Sequence, residues 1–370
     1  MEYIDTKQGR DCDGLGPVAR LHGASLMRRT LMFTGLCLLL LSLAVWGVTV
    51  GSYRLTISDV VRSLFGLEAG HAHIVVWSIR LPRIVAAMVA GCGLGLSGLI
   101  TQSLLKNPLA SPFTLGINQG AACGAAFAIV VLGAGGLEQG AVATSLPQPW
   151  SLYGMYAVTL CAFLGAMIAT AVILGLARLR GMSPESVILA GIALSALFRS
   201  GTILTQYFAS ETELAAVVFW TFGDVARSSW QELEILVCVT LAVLAYFLVN
   251  RWNLNALAAG EDEAQALGVN VVGLRLTGMI LATLVAALVT AFHGVIAFLG
   301  LLAPHIGRRL VGGDHRLLLP FSCIVGALLL LGADTAGRLL IGSGALPVGV
   351  LTSFMGAPLF LFLLMKGINR

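Results

Sequence analysis

The sequence predicts an all-α polytopic membrane protein with about ten transmembrane helices. Three observations carry that expectation. Hydrophobic residues make up 58% of the 370 and charged residues only 11%, against roughly 45–50% and about 25% in a soluble domain. The 22 basic and 18 acidic side chains cannot cover the surface of a soluble protein of 38.7 kDa, and the mean hydropathy of +0.92 agrees. The apolar runs reach the roughly 20 residues that a helix needs to cross the hydrocarbon core. They are rich in Leu, Ala, Gly and Val and do not alternate as the strands of a membrane barrel would. A soluble enzyme, a nucleic-acid binder, a fibrous protein and a disordered chain are thereby excluded.

Ten spans are expected, at about 31–50, 84–105, 113–134, 151–176, 186–208, 230–249, 276–293, 295–311, 317–341 and 346–365. The first follows a tail, residues 1–30, that carries Lys7, Arg10, Arg20, Arg28 and Arg29. That tail is long for a signal peptide and no small-residue cleavage site follows, so the first span reads as a retained anchor. The second holds Gly91, Gly95 and Gly98 on one helical face. Such a stripe suits a seam between closely packed helices or the lining of a substrate path. Pro108 and Pro112 stop one helix and start the third. The fourth, sixth and seventh are plain apolar runs. The fifth contains Arg199, a charge costing about 2.5–3.5 kcal/mol on insertion scales, so it should face a partner or a watery path. The eighth is the weakest, being short and interrupted by Pro304; the ninth ends in Asp334 and Arg338, and the tenth closes the chain.

Lys and Arg set the orientation. With both termini in the cytoplasm, only Arg54, Arg62, Arg80, Arg83, Arg227 and Arg338 of the 22 basic residues fall outside, apart from Arg199 within a span. This bias satisfies the positive-inside rule and places a multi-pass protein in the cell (inner) membrane.

Catalytic chemistry has no visible home. The only lysines are Lys7, Lys106 and Lys366, and none follows a glycine, so there is no phosphate-binding loop and no ATP hydrolysis by that route. No zinc-protease, nucleophile-elbow or paired-carboxylate pattern occurs. The seven cysteines are scattered, mostly within apolar runs, and read as small buried hydrophobes. His71 and His73, the only close histidine pair, lie in a polar loop and do not suggest a metal site. No catalytic residue, metal or cofactor is expected.

Four segments are polar or proline-rich where a plain bundle would not need them. They are Arg80–Arg83, Lys106–Pro112, Leu254–Gly268, and the series from Gly294 through Pro304–Arg308, Asp314–Arg316, Ala333–Arg338, Leu346–Gly349 and Gly356–Pro358. The ordered set R-L-P-R, N-P-L-A-x-P, L-x-x-G-E-x-x-A-x-x-L-G, P-H-x-x-R, D-H-R, A-D-x-x-x-R, L-P-V-G and G-A-P closely resembles the permease subunit of binding-protein-dependent ABC importers for iron-siderophores, haem and cobalamin. The resemblance runs from about residue 77 to the C-terminus.

That resemblance implies ten transmembrane helices per subunit and a homodimer, or a pair of similar permeases. Its partners would be two cytoplasmic ATPase subunits and an extracytoplasmic substrate-binding protein. It assigns Arg80, Arg83 and Arg338 to docking on the binding protein. Residue spacing also suits an Asp334–Arg338 ion pair, and Arg80 and Arg83 could equally be headgroup anchors. The loop at about 254–268 becomes the coupling segment on the ATPase, with Leu254, Leu257, Gly260, Glu261, Glu263, Leu267 and Gly268. Asn107, Leu109, Ser183 and Ser186 fall near the cytoplasmic gate, and the fifth helix, with Arg199, near the path. The permease domain would then occupy 31–370. Three features depart from the family: the charged stretch Trp220–Arg227, Arg199 itself, and the long tail. The rival reading is an ion-coupled secondary transporter, for which the supply of intramembrane acids is thin.

Overall fold

The structure is a computed structural model that describes residues 17–51, 57–64, 70–134, 150–341 and 346–368. The regular structure of these residues is helical throughout: α1 (Pro17–Thr49), α2 (Ile57–Leu64), α3 (His71–Ile74), α4 (Leu81–Leu104), α5 (Ile117–Ala126), α6 (Trp150–Arg178), α7 (Pro184–Tyr207), α8 (Glu211–Thr221), α9 (Trp230–Val249), α10 (Arg251–Ala259), α11 (Glu261–Ala266), α12 (Val271–His293), α13 (Leu299–Val311), α14 (His315–Ile341) and α15 (Val348–Ile368). Each of the ten expected spans is a helix or contains one. Among the described residues, seven helices are long and apolar enough to cross a membrane, and Ile117–Val131 and Val348–Pro358 are shorter apolar ones. The segment 295–311 is helical only from Leu299. At the other extreme α1 starts at Pro17, so it reaches back into the segment read as a tail.

Prolines explain the irregular stretches. Pro82 cannot donate to the carbonyl four residues back and its ring crowds that carbonyl. The chain answers with a π-helical turn, Val75–Arg80, that runs directly into α4; such turns absorb the mismatch without ending the helix. Pro304 likewise leaves the Gly300 carbonyl without a helical donor. The Gln102 Nε2 amide donates to it instead at 3.3 Å, and Gln102 Oε1 accepts from Arg308 at 2.8 Å.

The bundle is organised around α4, which packs on α14, α12, α13 and α9. Its glycine face is the packing seam. A Cβ at Gly91 would fall on the Gly326 carbonyl, one at Gly95 on the Ser322 carbonyl, and one at Gly98 on the Gly300 carbonyl. Backbone therefore lies on backbone, the arrangement small residues permit in membranes. The seam is continued by the Ser97 hydroxyl, which donates to the Ala282 carbonyl of α12 at 2.6 Å. A second seam joins α5 to α6 through Gly120 against Gly165 and Gly124 against Cys161.

Helix α8 was not legible as a span, being too short. Its start is a capping box, with Ser210 and Glu213 exchanging bonds, and α9 opens the same way with Ser229 and Glu232. These pairs satisfy the orphan N–H groups of each first turn. The Trp220–Arg227 stretch follows α8, and its Gly223 carbonyl accepts from Gly349 N at 3.1 Å.

The seam gives a sharp expectation. Gly95→Val forces α4 from α14 backbone to backbone, at or beyond the roughly 1–3 kcal/mol typical of overpacking. Gly175→Ala, where nothing lies within 4 Å of the added carbon, should be neutral. Thermal unfolding of the purified variants in one detergent compares the two.

Candidate functional site

The polar groups gather at the two ends of the bundle. One end carries α10 and α11. Helix α10 turns its apolar side inward: Leu254 and Leu257 are 0% exposed, as is Ala264 of α11. This corrects their assignment as contacts for a partner, because both leucines are spent on the chain's own core. What faces outward is Trp252, Asp262, Glu263 and Gln265, with Leu267 74% exposed. Gly268, at φ +81°, occupies the left-handed position that ends a helix. Val269 N then donates to the Ala264 carbonyl at 2.9 Å and Gly268 N to the Gln265 carbonyl at 2.9 Å, a Schellman closure. Gly260 has extended backbone, and a Cβ there would overlap the Glu263 carboxylate.

Beneath α11 lies a residue the sequence reading counted only as a loop charge. Arg275, 2% exposed, donates from Nε to the Leu104 carbonyl at 3.0 Å and from Nη1 to the Met182 carbonyl at 2.6 Å. Its Nη2 pairs with Glu261 of α11. Leu104 ends α4 and precedes Lys106, at φ 47°; Met182, at φ 58°, precedes the N-cap of α7. One guanidinium thus joins the loop helix to the two turns assigned to the gate. Within those turns Asn107 Oδ1 accepts from Leu109 N at 2.9 Å, Ser183 Oγ accepts from Ser186 N at 3.2 Å, and the Ser186 hydroxyl donates to the Ser183 carbonyl at 2.8 Å. These groups hold the turns in shape, and Leu109 is 45% exposed beside them.

A second network ties α10 to α14 and α4. Asn255 Nδ2 donates to Asp314 Oδ1 at 2.9 Å, and Asn255 Oδ1 accepts from the His315 backbone N–H at 2.9 Å. The same oxygen lies 2.7 Å from His315 Nδ1, which must carry the proton because a carbonyl only accepts. His315 Nε2 is 2.8 Å from the Ser103 hydroxyl. Burial alone would raise the Asp314 carboxyl, but the bonds from Arg316 N–H and Asn255 outweigh it and hold it below its ordinary range.

The opposite end holds Arg80, Arg83 and Arg338. They are not presented as free outward side chains: Arg80 is 5% and Arg338 8% exposed. Arg80 Nη1 donates to the carbonyls of Val48 and Thr49 at 2.6 and 3.1 Å. Arg338 Nη1 donates to those of Gly47 and Val50 at 2.8 and 3.0 Å. Together they cap the C-terminus of α1, whose last carbonyls lack helical donors and carry the negative end of the dipole. Asp334, its side chain fully buried, pairs with Arg83 at 2.7 Å and Arg338 at 3.1 Å. The ion pair read from the spacing is there, extended by Arg83.

Arg199 is exposed on α7 among exposed apolar residues, including Leu197, Ile203 and Leu204. Separately, a cavity of about 480 Å³ opens between the end of α8, the α12–α13 connection and α15. Its walls include Phe222, Val295, Ala297 and Phe354 and are almost wholly apolar.

Three substitutions test this geometry. Arg338→Ala leaves Asp334 short of a partner and strips the Gly47 and Val50 carbonyls. Breaking a buried pair costs about 3–5 kcal/mol, visible as a lowered unfolding midpoint in detergent. At the other end Leu257→Asp should abolish folded protein, whereas Leu267→Asp should yield normal amounts by size-exclusion of the membrane extract.

Known proteins place these motifs in a family. The profile of the FecCD transport family matches residues 37–366. An ABC transporter permease protein of Methanocaldococcus jannaschii is 49% identical over 328 residues, covering 88% of this chain and 92% of its own length. The hemin transport system permease protein of Yersinia pestis is 35% identical over 91% of this chain and 96% of its own. The vitamin B12 import system permease protein of Klebsiella pneumoniae is 36% identical over 80% and 83%. A metal-chelate type ABC transporter solved in an inward-facing conformation superposes with a TM-score of 0.75 at 32% identity, covering 91% of this chain and 99% of that one. The chain belongs to the FecCD transport family: it is the multi-pass permease subunit of an ABC importer, the partner of an ATPase and a binding protein rather than an ATPase itself.

Proposed function

We propose that two copies of this chain form the membrane path for an iron-siderophore or a related metal chelate, with haem and cobalamin as the alternatives. The haem and vitamin B12 relatives support a bulky metal-containing cargo. The apolar cavity supports a path that binds its cargo weakly, leaving selection to the binding protein. The exposed face of α7 suits a second permease subunit and the path between the two. There Arg199 would meet water or an anionic cargo rather than lipid.

The observation that carries the mechanism is the Arg275 junction. In the proposed orientation α10 and α11 lie in the cytoplasm with both termini. Two ATPase subunits bear on the exposed α11 surface, chiefly Glu263 and Leu267. ATP-driven closure shifts α11, and Glu261 passes that shift through Arg275 to the turns after α4 and before α7. The permease has no energy source of its own, so the ATPases must bias its two states. The binding protein docks at the arginine end. There Arg80, Arg83 and Arg338 outnumber Asp334, so the cluster is net positive and attracts acidic lobes from within. Direct contact falls to the exposed Arg62 and Arg227.

Reconstitution with the ATPase and the binding protein in liposomes tests this reading. Uptake of a ferric siderophore, haem or cobalamin should require ATP and the binding protein. Leu267→Asp should lose uptake and ATPase co-purification while inserting normally. Uptake that persists without ATP would favour an ion-coupled carrier. External labelling of a cysteine at Glu263, in a chain without native cysteines, would reverse the orientation.

A further inference from the structure

Near the middle of the bundle, away from both polar ends, α1, α4, α9 and α14 surround a cavity of about 240 Å³. Three sulfur-bearing residues line it. Met88 and Cys92 lie one turn apart on α4, so they share a face, and Cys323 comes from α14. The glycine seam brings them together. Gly91 against Gly326 and Gly95 against Ser322 draw the two backbones into contact on either side of Cys92 and Cys323, and both cysteines border the same cavity.

A fourth lining residue behaves unlike its counterparts. Thr101, Thr170 and Thr290 each donate to the carbonyl four residues back, the ordinary refuge of a hydroxyl inside a span. Thr240 of α9 does not. It is 2% exposed, it borders the cavity, and its Oγ1 has no hydrogen-bond partner. A buried hydroxyl without a partner is costly, so this one is left for something in the cavity.

We propose that Cys92, Cys323 and Met88 form a binding site for a soft d10 cation, Cu(I), with Thr240 donating to the bound thiolate. Thiolate and thioether donors select Cu(I) over the harder ions. The thiolate is the ligating form of cysteine, and an apolar span favours a complex without net charge. One thiol of the pair therefore releases its proton on binding, which balances the single charge of Cu(I); the other stays protonated as a weaker donor. Ferric iron, a hard ion, finds no oxygen donors here except Thr240, so the site is separate from any ferric cargo. Occupancy would tie α4 to α14 across their seam. The inference rests on these side chains alone and stands whether or not the chelate reading holds.

The test uses full-length permease in detergent under reducing conditions, with Cys12, Cys37, Cys123, Cys161 and Cys238 replaced by Ser. The protein is titrated into the coloured Cu(I)–bicinchoninate complex. The parent should withdraw about one Cu(I) per chain, and X-ray absorption should show a sulfur-dominated coordination shell. Cys92→Ser and Cys323→Ser should each lose that equivalent. Met88→Leu and Thr240→Val, both close in volume, should keep the stoichiometry but surrender copper at lower chelator concentration. They keep the test decisive if a cysteine variant does not fold. A parent that withdraws no copper would overturn the proposal. So would a Cys92→Ser, Cys323→Ser double variant that withdraws as much as the parent, or Met88→Leu and Thr240→Val variants indistinguishable from it.

Discussion

The end of the bundle that carries α10 and α11 depends on one buried guanidinium. Taking Arg275 out of water is expensive, and Glu261 alone would not offset it. The remaining donors make the arrangement work, because the Leu104 and Met182 carbonyls need partners as much as Arg275 does. Both belong to turns whose residues adopt positive φ, Lys106 and Met182, where the backbone has left the helix and cannot satisfy itself. Leu104 and Met182 are themselves buried, so water does not reach their carbonyls instead. Arg275 therefore fixes where α4 ends, where α7 begins and where α11 sits. Removing it strips two buried carbonyls of their donor and at the same time frees Glu261.

The opposite end solves the same problem with the same chemistry. Helix α1 packs sparsely, with 17% of its most apolar stretch buried, so little apolar contact fastens it. Its last carbonyls are claimed by Arg80 and Arg338, and Asp334 holds Arg338 and Arg83 in place. Arginine suits both ends because its planar fork serves several acceptors at once. A lysine would supply the charge without that geometry.

This explains what could be read from the sequence. The spans, the glycine seam and the Asp334–Arg338 pair follow from periodicity, residue size and i,i+4 spacing, all local properties of a helix. The motif residues were visible as letters, but a letter does not say which way its side chain turns. Arg80 and Arg338 read as outward docking groups, and their acceptors on α1 lie about 30 and 290 positions away. Leu254 and Leu257 were given to a partner by the family resemblance; the amphipathic face of α10 was too short to register. Arg275 was hidden for the opposite reason, lying just outside an apolar run where a cytoplasmic charge is commonplace. The capping box at Ser210 was an overlooked local signal, and it would have revealed α8.

Burial is unevenly distributed, and that has a mechanical consequence. Helices α4, α12 and α14 have most of their apolar stretches buried, against 17% for α7. Helix α4 is locked to α14 and α13 by backbone contact at Gly91, Gly95 and Gly98, which cannot slide without a clash, and to α12 by the Ser97 hydroxyl on the Ala282 carbonyl. Helix α7 rests instead on α5 and α6, with Gly191 near the Leu115 carbonyl and Ser195 beside Gly116. A packed core has discrete arrangements rather than a continuum, so displacement will follow a sparsely buried element; α1 is equally sparse but is fastened by Arg80 and Arg338, which leaves α7. On the transport reading, the Met182 turn connects that element to Arg275, whereas the Leu104 turn connects Arg275 to the immobile α4. A push on α11 then has a fixed side and a yielding side. The yielding side is the helix that carries Arg199, so the force arrives where the proposed path would open.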